Sequence, residues 1–203
     1  GRGSVDDGYG GYLSILSILA LQQHEIPHPK ATFLIETCEE SGSYDLPAYL
    51  DELSEVLGTP DLVVVMDSGA GDYERLWVTT SLRGLIGGTL RVGVSKEGVH
   101  SGMAGGIIPS SLRIARSIIS RIEDEKTGQI LLPELSTNIS DEVENEAQGI
   151  ADVLGENVWT DFPTLEGVEP QTPGLSEIVL SGNWRPSLSV TGVDGMPSLK
   201  DAG

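Results

Sequence analysis

A single cysteine, Cys38, is present, so an internal disulfide and a cysteine-rich zinc site are both excluded. As a nucleophile Cys38 would need a histidine base, and none is close in sequence; it reads instead as a small buried residue at a strand end. Basic residues are scarce, with 12 Lys and Arg against 31 Asp and Glu and a formal net charge of -19. Phosphate backbones need clustered Lys and Arg, so nucleic acid is excluded as a partner. Runs of membrane-spanning length are missing as well. Leu13 to Leu21 is interrupted by serines and lacks a basic flank, which makes it a buried helix and no signal peptide. The expectation is a cytoplasmic protein without a membrane partner.

What remains is the composition of a folded α/β protein: 38% hydrophobic residues and 26 glycines in 203 residues, enough for one large domain or two small ones. Much of the acid lies between Glu123 and Glu169, as in Asp141-Glu142-Val143-Glu144-Asn145-Glu146, and reads as a solvated helix face or loop.

Helical and strand patterns alternate in the first part of the chain. Tyr12 to Gln23 is a mostly apolar helix, Ala31 to Thr37 a strand, and Leu46 to Leu57 an amphipathic helix with Leu50, Leu53 and Leu57 along one side. Leu62 to Met66 is a continuous apolar strand ending at Asp67. Apolar strands separated by helices predict a mostly parallel sheet covered on both faces, with ligands at the carboxyl ends of its strands. Both Asp67 and the doublet Glu39-Glu40 fall at such ends. The pattern changes near Arg83-Gly84: Thr89 to Ser95 alternates like a strand with one covered face, a helix follows over Pro109 to Ile122, and Leu188 to Val193 is β-like beyond a loop-rich stretch. Two domains are therefore assigned, 1–84 and 85–203.

Three short segments carry chemistry. Adjacent acids at the tip of a buried strand, Glu39 and Glu40, are costly unless a positive charge lies against them, although a solvated loop is the ordinary home of such a pair. Asp6 and Asp7 follow a glycine-rich loop and precede the first helix, where they can cap the helix or bind a cation. A phosphate cradle there lacks its Gly-Lys-Ser/Thr ending. His24-Glu25-Ile26-Pro27-His28 matches the zinc-protease pattern H-E-x-x-H letter for letter, but Pro27 and Pro29 are incompatible with the regular helix that the motif requires, so a loop is expected.

Taken in order, Gly1-Arg-Gly-Ser-Val-Asp6-Asp7, Glu36-Thr-Cys-Glu39-Glu40-Ser-Gly-Ser43 and Val65-Met-Asp67-Ser-Gly69 resemble the M20 family of metallopeptidases, most of all its branch of carnosine-type dipeptidases. Trp77-Val-Thr-Thr-Ser-Leu-Arg83-Gly84 and Gly98-Val-His100-Ser-Gly-Met-Ala-Gly-Gly106 resemble the junction and start of that family's lid, or dimerisation, domain. The resemblance implies part of a parallel-sheet zinc-peptidase catalytic domain followed by an α+β lid. It implies two Zn²⁺, with Mn²⁺ or Co²⁺ as possible substitutes, bridged by Asp6 and held by Glu40 on one metal and Asp67 on the other. Glu39 is then the general base, and His100 reaches into a partner subunit's active site to bind substrate and stabilise the oxyanion. The implied activity is cleavage of dipeptides or short peptides by a homodimer, with Gly87 to Val94 and the Pro109 helix forming the dimer surface. An N-acyl amino acid amidohydrolase and a non-catalytic dimerisation module are the alternatives. The family's two ligand histidines and its substrate-carboxylate arginine have no counterpart here, and His24 and His28 are in the wrong place to replace them. An internal fragment of a longer enzyme, inactive by itself, is expected.

Overall fold

Helix α1, Gly10–Gln23, is the first long element in the computed structural model, which describes residues 1–198 and 200. Serines inside this apolar helix return their hydroxyls to its own backbone, Ser14 Oγ to the Gly10 carbonyl and Ser17 Oγ to that of Leu13. The helix ends where Pro27 demands it. Glu25 turns left-handed at φ 56°, its N–H donates to the Gln22 carbonyl, and the Ile26 N–H reaches back to Leu21. The His24–His28 segment is thus a helix-ending turn. His28 Nδ1 lies 2.8 Å from the Pro29 carbonyl, which only a protonated Nδ1 satisfies, leaving Nε2 to accept from the Gln22 amide at 3.2 Å.

Residues Gly1–Thr79 and Thr80–Gly203 form two separate units. In the first, the expected helix over Leu46 to Leu57 is two pieces, α2 (Leu46–Glu52) and α3 (Ser54–Leu57), joined at Leu53, and Gly58 at φ 63° closes the second. The segments expected as strands, Ala31 to Thr37, Leu62 to Met66, Thr89 to Ser95 and Leu188 to Val193, pair with no neighbour in a ladder among the described residues. An apolar run specifies which face is to be covered, but a strand exists only when another strand takes up its N–H and C=O groups. The bridge that is present, Glu123 to Ile130, closes the turn after the Ile122 region.

The second unit is held by helices. Short α4 (Ser101–Ala104) is followed by α5 (Ser111–Ile119), which Ser110 caps by accepting from the Arg113 N–H at 3.3 Å. The acidic stretch is the start of α6 (Asp141–Leu154): Ser140 caps it, and Asp141, Glu142 and Glu144 lie in its first turn, where negative charge complements the helix dipole. A solvated helix face, one of the two readings of this stretch, is what the chain adopts. Short α7 (Asn157–Thr160) leads to α8 (Leu175–Asn183), a helix inside the stretch expected to be loop-rich. Ala147 and Ala151 of α6 meet Val179 and Leu180 of α8 in the buried core, flanked by Ile139, Val143, Ile150, Val158, Leu175 and Trp184. Two alanines four residues apart put small side chains on one helix face, so the second helix packs closely. Arg83, at the start of the unit, donates to the Arg185 carbonyl at 3.0 Å just beyond α8.

Candidate active site

The glycine-rich N-terminal segment folds into a closed loop. The Gly8 N–H donates to the Gly3 carbonyl at 2.8 Å, and a Cβ on Gly8 would stand 2.5 Å from that oxygen, so only glycine fits. Asp6 and Asp7 lie within this loop, joined by a cis peptide bond. The cap position of α1 is occupied by Tyr9, without a side-chain cap, so neither aspartate serves as the helix N-cap residue. Instead Asp7 lies beside the buried Gly10: a Cβ there would be 3.1 Å from Asp7 Oδ2 and 3.3 Å from Met66 Cβ. Tyr9 Oη donates to the Met66 carbonyl at 3.4 Å. The start of α1 therefore brings the aspartate loop beside the residue that precedes Asp67.

Glu39 and Glu40 open a single 3-10 turn, Glu39–Ser41. Its N–H groups are taken up by backbone carbonyls, Ser41 and Ser43 donating to Cys38 and Gly42 to Glu39. Gly42 at φ 100° and Ser43 at φ 49° complete the reversal. Cys38, expected to be buried, is exposed; its carbonyl, accepting twice, is the part of the residue the turn uses. Three residues ahead of Glu39, Glu36 Oε1 is shielded from solvent and accepts no hydrogen bond among the described residues.

Asp67 begins a loop that the sequence did not single out. Ser68 Oγ and Thr79 Oγ1, 2.6 Å apart, close its neck. Inside it Asp72 Oδ1 accepts from the Glu74 and Arg75 N–H groups, each at 2.9 Å, and from Trp77 Nε1 at 3.3 Å, while Asp72 Oδ2 pairs with the Arg75 guanidinium. The Trp77 ring covers Gly71, where a Cβ would lie 2.6 Å from Trp77 Cζ2. An Asp two and three residues ahead of free N–H groups, after a glycine, was the sequence signal for this loop. Desolvation pushes the Asp72 carboxyl up, but the donors from Glu74, Trp77 and Arg75 together outweigh it and hold the group below its ordinary value. A lowered folded-state pKa means the tether contributes fully above the usual Asp pKa of about 3.9 and is lost as pH falls through the lower, folded value. The Trp77 indole N–H resonance should therefore stay unchanged from neutral pH to about 4, move only below that, and be displaced already at neutral pH in Asp72→Asn. A shift beginning well above that range would contradict the assignment.

His100 belongs to the second unit, at the cap of α4, with Gly102 beneath it: a Cβ on Gly102 would be 3.1 Å from His100 Cε1. Val99, His100, Met103, Ala104, Ile107 and Ile108 line a shallow, mainly apolar groove. Asp6, Glu39, Glu40, Asp67 and His100 are all exposed. The three proposed ligands, Asp6, Glu40 and Asp67, are oxygen donors, a set that suits Mn²⁺ and that Zn²⁺ takes in combination with imidazole, so the residues fit a metal in kind. Among the described residues no three His, Cys, Asp or Glu side chains gather into one metal-holding group. No described helix is long and apolar enough to cross a membrane.

No family model matches the chain. Its sequence is 27% identical over 197 residues to a probable di- and tripeptidase of Saccharomyces cerevisiae, covering 95% of this chain and 21% of that protein. It is 25% identical over 202 residues to the beta-Ala-His dipeptidases of Mus musculus and Rattus norvegicus, covering 96% of this chain and 40% of theirs. The chain thus spans between about a fifth and two fifths of the length of these relatives. Its homologues are di- and tripeptidases, M20-like as the order of its motifs implied, and the likeness extends over almost all of this chain.

Proposed function

We propose that this chain is part of a metal-dependent hydrolase that cleaves the amide bond of dipeptides or short peptides. The observation that carries the reading is the likeness to a probable di- and tripeptidase over 95% of the chain. Asp6 would bridge two Zn²⁺, with Glu40 and Asp67 holding one each, and the bound metals would lower the pKa of a water and polarise the scissile carbonyl. Glu39 takes the proton of the attacking water and returns one to the leaving amine. His100 donates to the oxyanion that develops on the carbonyl, in the active site of the partner subunit of a homodimer. In the same reading the runs 31–37 and 62–66 are strands of a parallel sheet, and 85–203 belongs to a lid through which two subunits meet. The reading also takes the protein as cytoplasmic.

Asp6 lies in a loop, and Glu39 and Glu40 open a turn, each closed by backbone hydrogen bonds. A panel of dipeptides and N-acyl amino acids, offered to the complete polypeptide with Zn²⁺ or Mn²⁺, tests the proposal. Dipeptides are expected to turn over, to stop with a chelator and to resume on metal return, while the 203 residues alone remain inert. Turnover confined to N-acyl amino acids would replace the peptidase with an amidohydrolase, and turnover of neither would defeat the proposal.

A further inference from the structure

We infer that the clasped loop 68–79, together with Tyr9, is a positioning device for Asp67, with Ser68, Thr79 and Tyr9 as its positioning residues. The inference rests on the reading of Asp67 as a metal ligand. An aspartate has a short side chain, so the place of its carboxylate is inherited from its backbone. A ligating carboxylate must be held to within about 0.5 Å. A paired strand would provide that rigidity, yet the run leading to Asp67 is unpaired among the described residues, with Val63, Val64 and Val65 at 69%, 67% and 75% exposure.

Side chains supply the restraint instead, one on each side of Asp67. On the preceding residue, the Met66 carbonyl accepts from Tyr9 Oη, 57 residues away in sequence, and Met66 Cβ rests over the side-chain-free Gly10. On the following residue, Ser68 Oγ is bonded to Thr79 Oγ1 across 11 residues. Closing the neck of a loop costs chain entropy, and the loop must be internally ordered for its neck to act as a fixed point. Asp72, Arg75 and Trp77 provide that order, and the ring of Trp77 seated on Gly71 fills the interior. A short loop with joined ends, packed by its own side chains, is an Ω-loop, a form that recurs at functional sites. Backbone bonds close the turns that carry Asp6 and the glutamate doublet. Asp67 differs: hydroxyl groups fix it, and hydroxyls can be removed one at a time.

The test uses the complete polypeptide and Mn²⁺ alone as probe, with its dissociation constant read by electron paramagnetic resonance. Thr79→Val keeps the side-chain shape and deletes the hydroxyl. It is expected to weaken Mn²⁺ binding about 10-fold, the lower end of what loss of a ligand's supporting contact costs. Ser68→Ala should weaken binding similarly, attacking the same bond from its other end, and Thr79→Ser should restore the wild-type value. A role in folding alone would lower the melting temperature of Thr79→Val and Ser68→Ala but leave the Mn²⁺ affinity of the folded protein unchanged, and that result overturns the inference. Asp67→Asn separates the two levels. If it abolishes one Mn²⁺ site while the hydroxyl variants bind normally, the clasp is refuted and the ligand reading survives. If Asp67→Asn itself binds as tightly as wild type, the ligand reading is refuted and the clasp with it.

Discussion

Glu39→Gln in the complete polypeptide is expected to reduce dipeptide turnover by a factor on the order of 10² to 10⁴, the usual contribution of a positioned general base. Its metal content should be nearly unchanged. Glutamine preserves the shape of the side chain and its capacity to accept a hydrogen bond, but it cannot take a proton at neutral pH. Glu40→Gln, one residue later in the same 3-10 turn, should lower metal content and turnover together. This pair is informative because the two positions share one environment. Both side chains are exposed, and the turn that carries them is held by the N–H groups of Ser41, Gly42 and Ser43 bonding to backbone carbonyls. Neither substitution touches the backbone bonds that close the turn, so with melting temperatures unchanged a difference between the variants reports chemistry and not folding. Metal analysis by mass spectrometry alongside kcat and KM distinguishes the outcomes. Equal metal loss in both, or Glu39→Gln retaining wild-type turnover, would remove the assignment of base and ligand.

Parts of the chain were readable in advance for local physical reasons. The end of α1 follows from Pro27, whose ring and missing N–H forbid continuation, and the same residue disposes of His24 and His28 as a helical metal pair. The glycine at position 42 announced a reversal after the glutamate doublet, and Gly42 adopts the left-handed backbone there. Other parts depend on what a segment meets. No glycine or proline marks the break at Leu53 between α2 and α3, and a helical apolar pattern runs straight through it. Helix α8 follows a proline- and glycine-rich approach that reads as loop, but its Leu175, Val179 and Leu180 gain burial from α6, a contact invisible to local pattern. The runs Ala31 to Thr37 and Leu62 to Met66 carry the apolar content of strands, but pairing partners are a property of tertiary structure and cannot be read from one segment. The same holds for the site. Residue type and motif order pointed to Asp6, Glu39, Glu40, Asp67 and His100. The restraint on Asp67 joins Tyr9 to Met66 and Ser68 to Thr79, and neither bond has a local sequence signature.

Leu180→Ala is expected to be the most damaging single substitution for the second unit, at a cost of about 2–5 kcal/mol. Of the four buried apolar residues among those described there, the other three are Ala147, Ala151 and Val179, so Leu180 brings the largest side chain to the core and is only 3% exposed. The facing alanines have nothing to extend into the space left behind, and the partly buried ring of Val143, Ile150, Val158 and Trp184 is held by its own helices. Collapse around the deletion is therefore limited, which puts the cost towards the upper part of that range. Against a total domain stability of about 5–15 kcal/mol this is a large share. The damage also has a route outward. The Leu180 carbonyl accepts from the N–H groups of Trp184 at 2.8 Å and Arg185 at 3.0 Å, and these bonds shape the end of α8. The Arg185 carbonyl in turn accepts from Arg83 at the start of the unit. Loosening α8 should thus free Arg83 as well, which hydrogen exchange across 80–86 and 184–188 would register as a joint loss of protection. Leu180→Met, nearly equal in volume, should cost less than about 1.5 kcal/mol and leave both segments protected. Urea unfolding of the two variants decides the matter: a Leu180→Ala protein within about 1 kcal/mol of wild type, below the range for such deletions, would mean that the packing of α6 on α8 is not what holds this unit together.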